Sequence, residues 1–230
     1  MIPQETKETF EIILASRVLL YKLFHKTFGR EPDAAFLHVL ADPAVGEAFS
    51  LFSSEESDTM SKASAFVASA GQKAGDESYL SELHHEYMRL FIGPEKLIAP
   101  PWESVYRSKS GLLFQENTLT VREIYHKHGF QPEGYPHVAD DSLALELDFM
   151  GRMAERSLAA LAQGDAGEFA ASLTTQESFL RIHLLFFLPK LLERMEHSAF
   201  RLFYPQMTQI LLAFAQLDLE LVQDMMKAEI

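Results

Sequence analysis

The chain has 230 residues, enough for one large domain or two small ones, and its 47% of hydrophobic residues is ample for a buried core. A formal net charge of −13 argues against a nucleic-acid partner, because phosphate binding is driven by Lys and Arg, and it favours a cationic partner. The chain contains no cysteine, which excludes disulfides, thiolate nucleophiles and thiolate metal sites.

The N-terminal segment lacks the pattern of a signal peptide. Its first residues, MIPQETKE, are polar and acidic where a signal peptide has a basic region followed by an apolar run. No stretch of the sequence approaches the roughly 18 apolar residues of a membrane span. We therefore expect a cytoplasmic protein without stable membrane insertion.

The N-terminal half is predicted to be a series of helices. Apolar residues from Phe10 to Tyr21 recur at spacings of three and four, so a first amphipathic helix is expected to end near Gly29. The next helices are shorter, and two of them carry proline in the first turn, where it is tolerated. These helices are expected to begin at about Glu31, Asp42, Thr59 and Asp76.

The central segment is predicted to be an ordered loop. Between Gly93 and about Gln115 it holds three prolines and has no sustained hydrophobic period, so no element is expected there. A short helix should follow from about Glu116 to His128. A second loop, rich in Pro and Gly, should occupy 129–139.

The C-terminal half is predicted to hold three further helices. One begins after Asp140-Asp141, acids that suit a helix N-terminus. Another spans about Ala166 to Leu188, is interrupted by Pro189 and continues towards His197, and the last begins near Phe203.

No alternation typical of strands competes with these helices. We therefore predict an all-α fold, a single compact bundle of about nine to eleven helices with a long proline-containing central loop, forming one domain over 1–230.

The sequence carries no common catalytic motif. It has no GxxxxGK[ST], GxGxxG, GxSxG or HExxH run. Glu82 with His85 and Glu123 with His126 form two Glu-x-x-His pairs, and di-metal carboxylate bundles use two such pairs with two further glutamates. The second pair lies on a short predicted helix between loops, so a surface role is favoured. We therefore expect that the protein is not an enzyme and that it has neither a cofactor nor a metal site.

Three blocks of the sequence resemble the TorD/DmsD family. The first is EYMRLFIGP (86–94) followed by APPWESVY (99–106), the second is LALELDFM (143–150), and the third is FLRIHLL (179–185) followed by Leu188-Pro189. The resemblance covers roughly residues 80–220, and the order and spacing of the blocks match the family.

The resemblance implies a helical chaperone that binds the twin-arginine signal peptide of a molybdenum oxidoreductase. Such a protein holds the apo catalytic subunit until cofactor insertion and export. The family includes domain-swapped dimers, so a monomer or a domain-swapped homodimer is expected. Family members also bind guanine nucleotides weakly, but this sequence offers no phosphate cradle. A general helical interaction module and a di-metal oxidoreductase remain the alternative functions.

One family motif is altered. The hinge, expected near 129–142, usually reads Glu-Pro-x-Asp-His, and it aligns with Val138-Ala139-Asp140-Asp141-Ser142, which retains only Asp141. His137 is a candidate to replace the missing histidine.

The single tryptophan, Trp102, follows two prolines and suits an apolar anchor for a peptide, although it could equally pin the loop to the core. Glu103 and Asp141 could bind the leader's arginines, or could be an internal tie and a helix cap. Glu146 is expected at a solvated edge. The candidate peptide-binding residues are Tyr87, Phe91, Trp102, Glu103, Ser104, Tyr106, His137, Asp140 and Asp141.

Overall fold

The computed structural model describes residues 3–53, 58–93, 97–107, 113, 115–132 and 138–228. Within these residues the chain forms eleven α-helices and two π-helical segments, and no strand. The all-α prediction is confirmed. The helices are α1 Gln4–Gly29, α2 Ala34–Leu40, α3 Pro43–Leu51, α4 Asp58–Gly71, α5 Glu77–Tyr87, α6 Ser104–Arg107, α7 Glu116–Lys127, α8 Leu143–Gln163, α9 Ala166–Phe179, α10 Leu185–Glu196 and α11 Tyr204–Lys227; the π-helical segments are Met88–Ile92 and Leu180–Leu184.

Side-chain caps set the starts of the short N-terminal helices. Asp33, Asp42 and Asp76 each accept a backbone hydrogen bond from the first turn of the helix that follows. An aspartate at this position satisfies N–H groups that have no partner within the helix. The predicted starts of α2, α3 and α5 are therefore correct to within a few residues.

The core lies between the long helices. α1 packs along α8, α8 packs on α9, and α11 packs on α10 and α9. A buried ion pair joins α1 to α11, because Arg17 donates two hydrogen bonds to Asp218, and the hydroxyl of Tyr21 donates a third at 2.6 Å. Among the described residues, none of the helices combines the length and the apolar character that a membrane span requires.

Two elements differ from the prediction. The segment expected to be a loop contains α6, a single helical turn that is too short to show a period in the sequence. The predicted interruption at Pro189 is also wrong, because α10 continues through it. The irregular turn instead precedes Leu185, in the π-helical segment Leu180–Leu184. Pro189 has no N–H to donate to the carbonyl of Leu185, so α10 lacks that hydrogen bond.

Candidate functional site

The first two sequence blocks meet where the central loop crosses the start of α8. The backbone N–H of Glu103 donates to the carbonyl of Asp141 at 2.9 Å, and the N–H of Leu143 donates to the carbonyl of Pro101 at 2.9 Å. Together these bonds form an isolated antiparallel bridge between Trp102 and Ser142. The loop is therefore fixed to α8 by its backbone, on both sides of the tryptophan.

A groove of about 560 Å³ lies beside this crossing and has mainly apolar walls. We call it the Trp102 groove. Its walls come from the end of α1, the central loop and the start of α8, and they consist of His25, Phe28, Gly29, Pro101, Trp102, Leu113, Val138, Ala139, Ser142, Ala144 and Leu145. Trp102 is half-buried, so one part of the ring holds the loop while another part remains available to a ligand.

The wall formed by α1 is tied directly to α8. Nδ1 of His25 donates a hydrogen bond of 2.8 Å to the carbonyl of Ala144. A Cβ at Gly29 would lie 3.1 Å from the Cβ of Ala144, so glycine allows the two helices to approach closely here. The groove is thus bounded by helices on one side and by the central loop on the other.

Asp141 is buried and holds the loop from inside. Its Oδ2 accepts from the backbone N–H of Ser104 at 2.7 Å, and its Oδ1 accepts from the hydroxyl of Thr118 at 2.9 Å. Asp141 therefore caps α6; the N-cap of α8 is Ser142. Its carboxylate positions the loop, and each of its two oxygens already accepts a hydrogen bond from within the protein.

The neighbouring Asp140 is also buried and is bound within the protein. Its Oδ2 lies 2.8 Å from Nε and 2.6 Å from Nη2 of Arg122. Its backbone carbonyl accepts from the hydroxyl of Tyr125 at 3.0 Å. The altered hinge motif thus forms internal ties between the start of α8 and α7.

Glu103 lies at the centre of a buried polar cluster. Its Oε1 accepts from Nε of Arg107 at 2.5 Å, and its Oε2 accepts from Nδ2 of Asn117 at 2.7 Å and from Nδ1 of His183 at 2.9 Å. Burial alone would raise the pKa of Glu103, but the bonds and charges of these partners, His183 foremost, hold the pKa below its usual value. Glu103 is therefore ionised and internally paired.

Glu146, expected at a solvated edge, is fully buried instead. One oxygen each of Glu103 and Glu146 and a ring nitrogen of His183 lie within 4.8 Å of one another. Burial, and then the carboxylates of Glu103 and Asp141, raise the pKa of Glu146 well above its usual range. We call these three residues the buried triad. Each belongs to a different sequence block, so the three blocks converge at one place.

The other candidate residues have different surroundings. Tyr87 and Phe91 are core residues, with ring centroids 5.6 and 5.1 Å from that of Tyr204. Phe91 also packs on Phe28, which lines the Trp102 groove, so this aromatic cluster backs the groove wall. Ser104 contributes its backbone N–H to the cap.

Tyr106 packs near the site, and the remaining candidates do not contribute to it in the part of the chain that the structure describes. The ring of Tyr106 packs on Phe187 at 5.0 Å, with the guanidinium of Arg194 at 4.4 Å from its centroid. His137 lies outside the described residues. The Glu-x-x-His pairs are exposed on α5 and α7, and within the described residues neither pair belongs to a group of three metal-ligating side chains.

Sequence reasoning missed the roles of His25, Thr118, Glu146 and His183. The last two had one detectable signal, since each is an ionisable residue within a strongly apolar helical block. The hydrophobic periodicity of a block predicts whether a side chain faces the solvent or the core. It does not identify the side chains of other helices that this side chain contacts.

The fold and the site define a class of all-helical proteins. In this class, three separated sequence blocks meet beside an apolar groove. The chain belongs to the nitrate reductase delta subunit family, whose sequence profile matches residues 54–193. That range includes the whole buried triad. The resemblance to the TorD/DmsD family is thereby confirmed.

The chain is similar to several proteins named chaperone protein TorD. It is 30% identical to that of Aliivibrio fischeri over 64% of this chain and 66% of the relative. It is 33% identical to that of Vibrio cholerae serotype O1 over 60% of each chain, and 32% identical to that of Vibrio vulnificus over 67% of this chain and 70% of the relative. The chain thus spans less than two thirds of the length of the first two relatives.

Proposed function

We propose that the protein is a cytoplasmic, non-enzymatic chaperone that binds the twin-arginine signal peptide of a molybdenum oxidoreductase in the Trp102 groove. It holds the apo form of the catalytic subunit until the molybdenum cofactor has been inserted. The observation that carries the proposal is the groove itself, because two of the three blocks that resemble the family contribute to its wall. The name shared by the relatives, chaperone protein TorD, supports it.

The groove suits the apolar part of a signal peptide. Its volume of about 560 Å³ falls in the range of ligand pockets in general, and its lining is mainly apolar with few polar groups. Trp102, Leu113 and Leu145 are large apolar side chains of the lining that a leader would contact. An aromatic ring held by a rigid loop loses little conformational entropy on binding, which favours affinity.

The leader's arginines are attracted by the charge of the protein as a whole. A net charge of −13 draws a cationic peptide towards the surface and accelerates its binding at low salt. Glu103 and Asp140 are already paired with Arg107 and Arg122 of the chain itself, and Asp141 is hydrogen-bonded internally. We therefore propose that these acids shape the groove, and that a leader arginine reaches Glu103 or Asp140 only by displacing the internal arginine.

The experiment that tests this function is a titration with synthetic twin-arginine leaders. Trp102 is the only tryptophan, so a change in its emission reports on this loop alone. Calorimetry measures the affinity independently, and added salt should weaken it because charges are screened over about 10 Å at 0.1 M. A leader with both arginines changed to lysine keeps the charge but loses planar two-point contacts, so it should bind more weakly.

The outcomes separate the function from its location. If several twin-arginine leaders show no binding by calorimetry, the leader-chaperone function is wrong. Equal binding of the arginine and lysine leaders would instead support a general interaction module. Binding that leaves the emission of Trp102 unchanged would retain the function but move the site away from the groove.

The protein is expected to act as a monomer or as a domain-swapped homodimer.

A further inference from the structure

The buried triad contains a carboxyl group that accepts no hydrogen bond from a described residue and faces the carboxylate of Glu103. Glu103 and Glu146 are 0% exposed and His183 is 2% exposed. Among the described residues, no donor forms a hydrogen bond to either carboxyl oxygen of Glu146. A buried polar group in this state is costly unless it is neutral or bound to a cation, and such a group often marks the place of an ion.

The three side chains present the donor atoms that a transition cation uses. We propose that the buried triad binds one divalent transition cation of the zinc and manganese type, through one oxygen of each glutamate and one ring nitrogen of His183. Imidazole and carboxylate ligands suit these ions, and three protein ligands leave one position of a tetrahedral site open. The chain has no cysteine, so the site does not favour ions that prefer thiolates.

The spacing of the donors requires only small movements. Donor atoms at about 2.1 Å from a tetrahedral zinc ion lie about 3.4 Å apart. The donors of the triad lie within 4.8 Å of one another, and Nδ1 of His183 is 2.9 Å from Oε2 of Glu103. Rotation of the Glu146 side chain would bring the third donor into range. The remaining oxygen of Glu103 stays oriented by Arg107, as the outer partners of metal ligands commonly are.

The charges balance when the ion is bound. Both glutamates bind as carboxylates, which offset the two charges of the cation. His183 binds through Nδ1 as a neutral ring, so its proton moves from Nδ1 to Nε2 and the hydrogen bond from Nδ1 to Glu103 is given up. Arg107 remains beside Glu103, but its side chain is 29% exposed, and solvent screens its charge. Asp141 adds a negative charge from the start of α8, which favours a cation.

A second pocket borders the triad at His183. It has a volume of about 230 Å³, lies between α7, α9 and the π-helical segment Leu180–Leu184, and includes His183 in its lining. A site that is buried but adjacent to a pocket meets the need of a metal site for an entry path. The cation would bind at Oε2 of Glu103, the oxygen that faces His183, because Oε1 is bonded to Arg107. None of the three ligands lines the Trp102 groove.

The test is a calorimetric titration of the full chain with zinc chloride, after treatment with EDTA and dialysis. We expect one zinc ion per chain. The affinity should rise with pH, with release of protons, because carboxylate and imidazole ligands bind a cation only when they are deprotonated. Glu146→Gln keeps the shape of the neutral side chain and should weaken binding by roughly tenfold or more. It should also reduce the proton release, which is measured in buffers of different ionisation enthalpy. Glu82→Gln, in an exposed Glu-x-x-His pair, is the matched control and should change neither quantity.

Several results would overturn the site. The first is that the wild-type chain does not bind zinc. The second is that Glu146→Gln binds zinc with the affinity and the proton release of the wild-type chain. The third is that Glu82→Gln loses zinc binding. The first of these results is measured on the wild-type chain, so it tests the site even if a variant fails to fold. X-ray absorption of the zinc-loaded protein should show a single imidazole among oxygen ligands, and two or more imidazoles would place the ion elsewhere.

Discussion

Asp141 caps a helix that begins 37 residues before it in the sequence: its Oδ2 accepts from the backbone N–H of Ser104 at 2.7 Å. The bond fixes the first turn of α6, and with it the loop that carries Trp102, against the start of α8. An aspartate whose neighbours suggest a local helix cap thus acts over a long distance. The shape of the Trp102 groove depends on this bond.

Asp141→Ala is expected to destabilise the protein and to weaken leader binding indirectly. The change leaves the N–H of Ser104 and the hydroxyl of Thr118 buried without this acceptor, and each such group costs about 1–3 kcal/mol. Asp42→Ala is the matched control, because Asp42 caps α3 at the surface through Ala44 and its loss costs about 0.5–2 kcal/mol. Urea denaturation measures both variants. If Asp141→Ala is no more destabilising than Asp42→Ala, the long-range cap contributes little.

Glu146→Gln is expected to stabilise the metal-free protein increasingly as the pH rises. Burial and the neighbouring carboxylates raise the pKa of Glu146 in the folded state. A group with a raised folded pKa contributes fully below its unfolded pKa, and this contribution is lost as the pH rises towards the folded value. Glutamine is neutral at every pH, so it avoids that loss.

The measurement for Glu146→Gln is the free energy of unfolding in EDTA, from about pH 5 to pH 8. The difference between the variant and the wild-type protein should grow over this window. Glu82→Gln, at an exposed position of α5, should show no such trend. A difference that stays constant with pH for Glu146→Gln would mean that Glu146 is ionised in the folded protein throughout.

Leu145→Ala is expected to weaken leader binding by roughly tenfold, because it removes apolar surface from the wall of the Trp102 groove. Leu158→Ala is the matched control. Leu158 is also a half-buried leucine on α8 packed against the core, but it is not part of the groove lining. Calorimetric titration with one leader compares the two variants. Equal losses of affinity would show that the effect comes from α8 as a whole and not from the groove.

Asp218→Ala is expected to cost about 3–5 kcal/mol of stability, because it leaves the guanidinium of Arg17 buried without its counter-ion. Replacing both partners with leucine or methionine should cost much less than the single change. The exposed pair of Lys62 and Asp58, whose side chains are 69% and 82% exposed, is the control. Asp58→Ala should change stability by less than about 1 kcal/mol. Thermal or urea unfolding decides between these outcomes.

The helices and many of their ends are encoded locally. Asp33, Asp42 and Asp76 cap the helices that follow them, and the apolar period of α1 and α8 identifies the faces that are buried. These features depend on residues three or four positions apart, which lie on the same face of a helix, so a single sequence is enough to predict them. The position of Trp102 in a rigid loop is likewise visible in its neighbouring prolines.

The tertiary structure alone decided which of these faces meet. The single turn of α6 forms because Asp141 caps it, and α10 continues through Pro189 after a π-helical segment that no local pattern predicts. His183 binds Glu103 across 80 residues of sequence, and Glu146 is buried beside both. The period of an apolar stripe records that a side chain points inward, but its partner there is determined by the packing of distant helices.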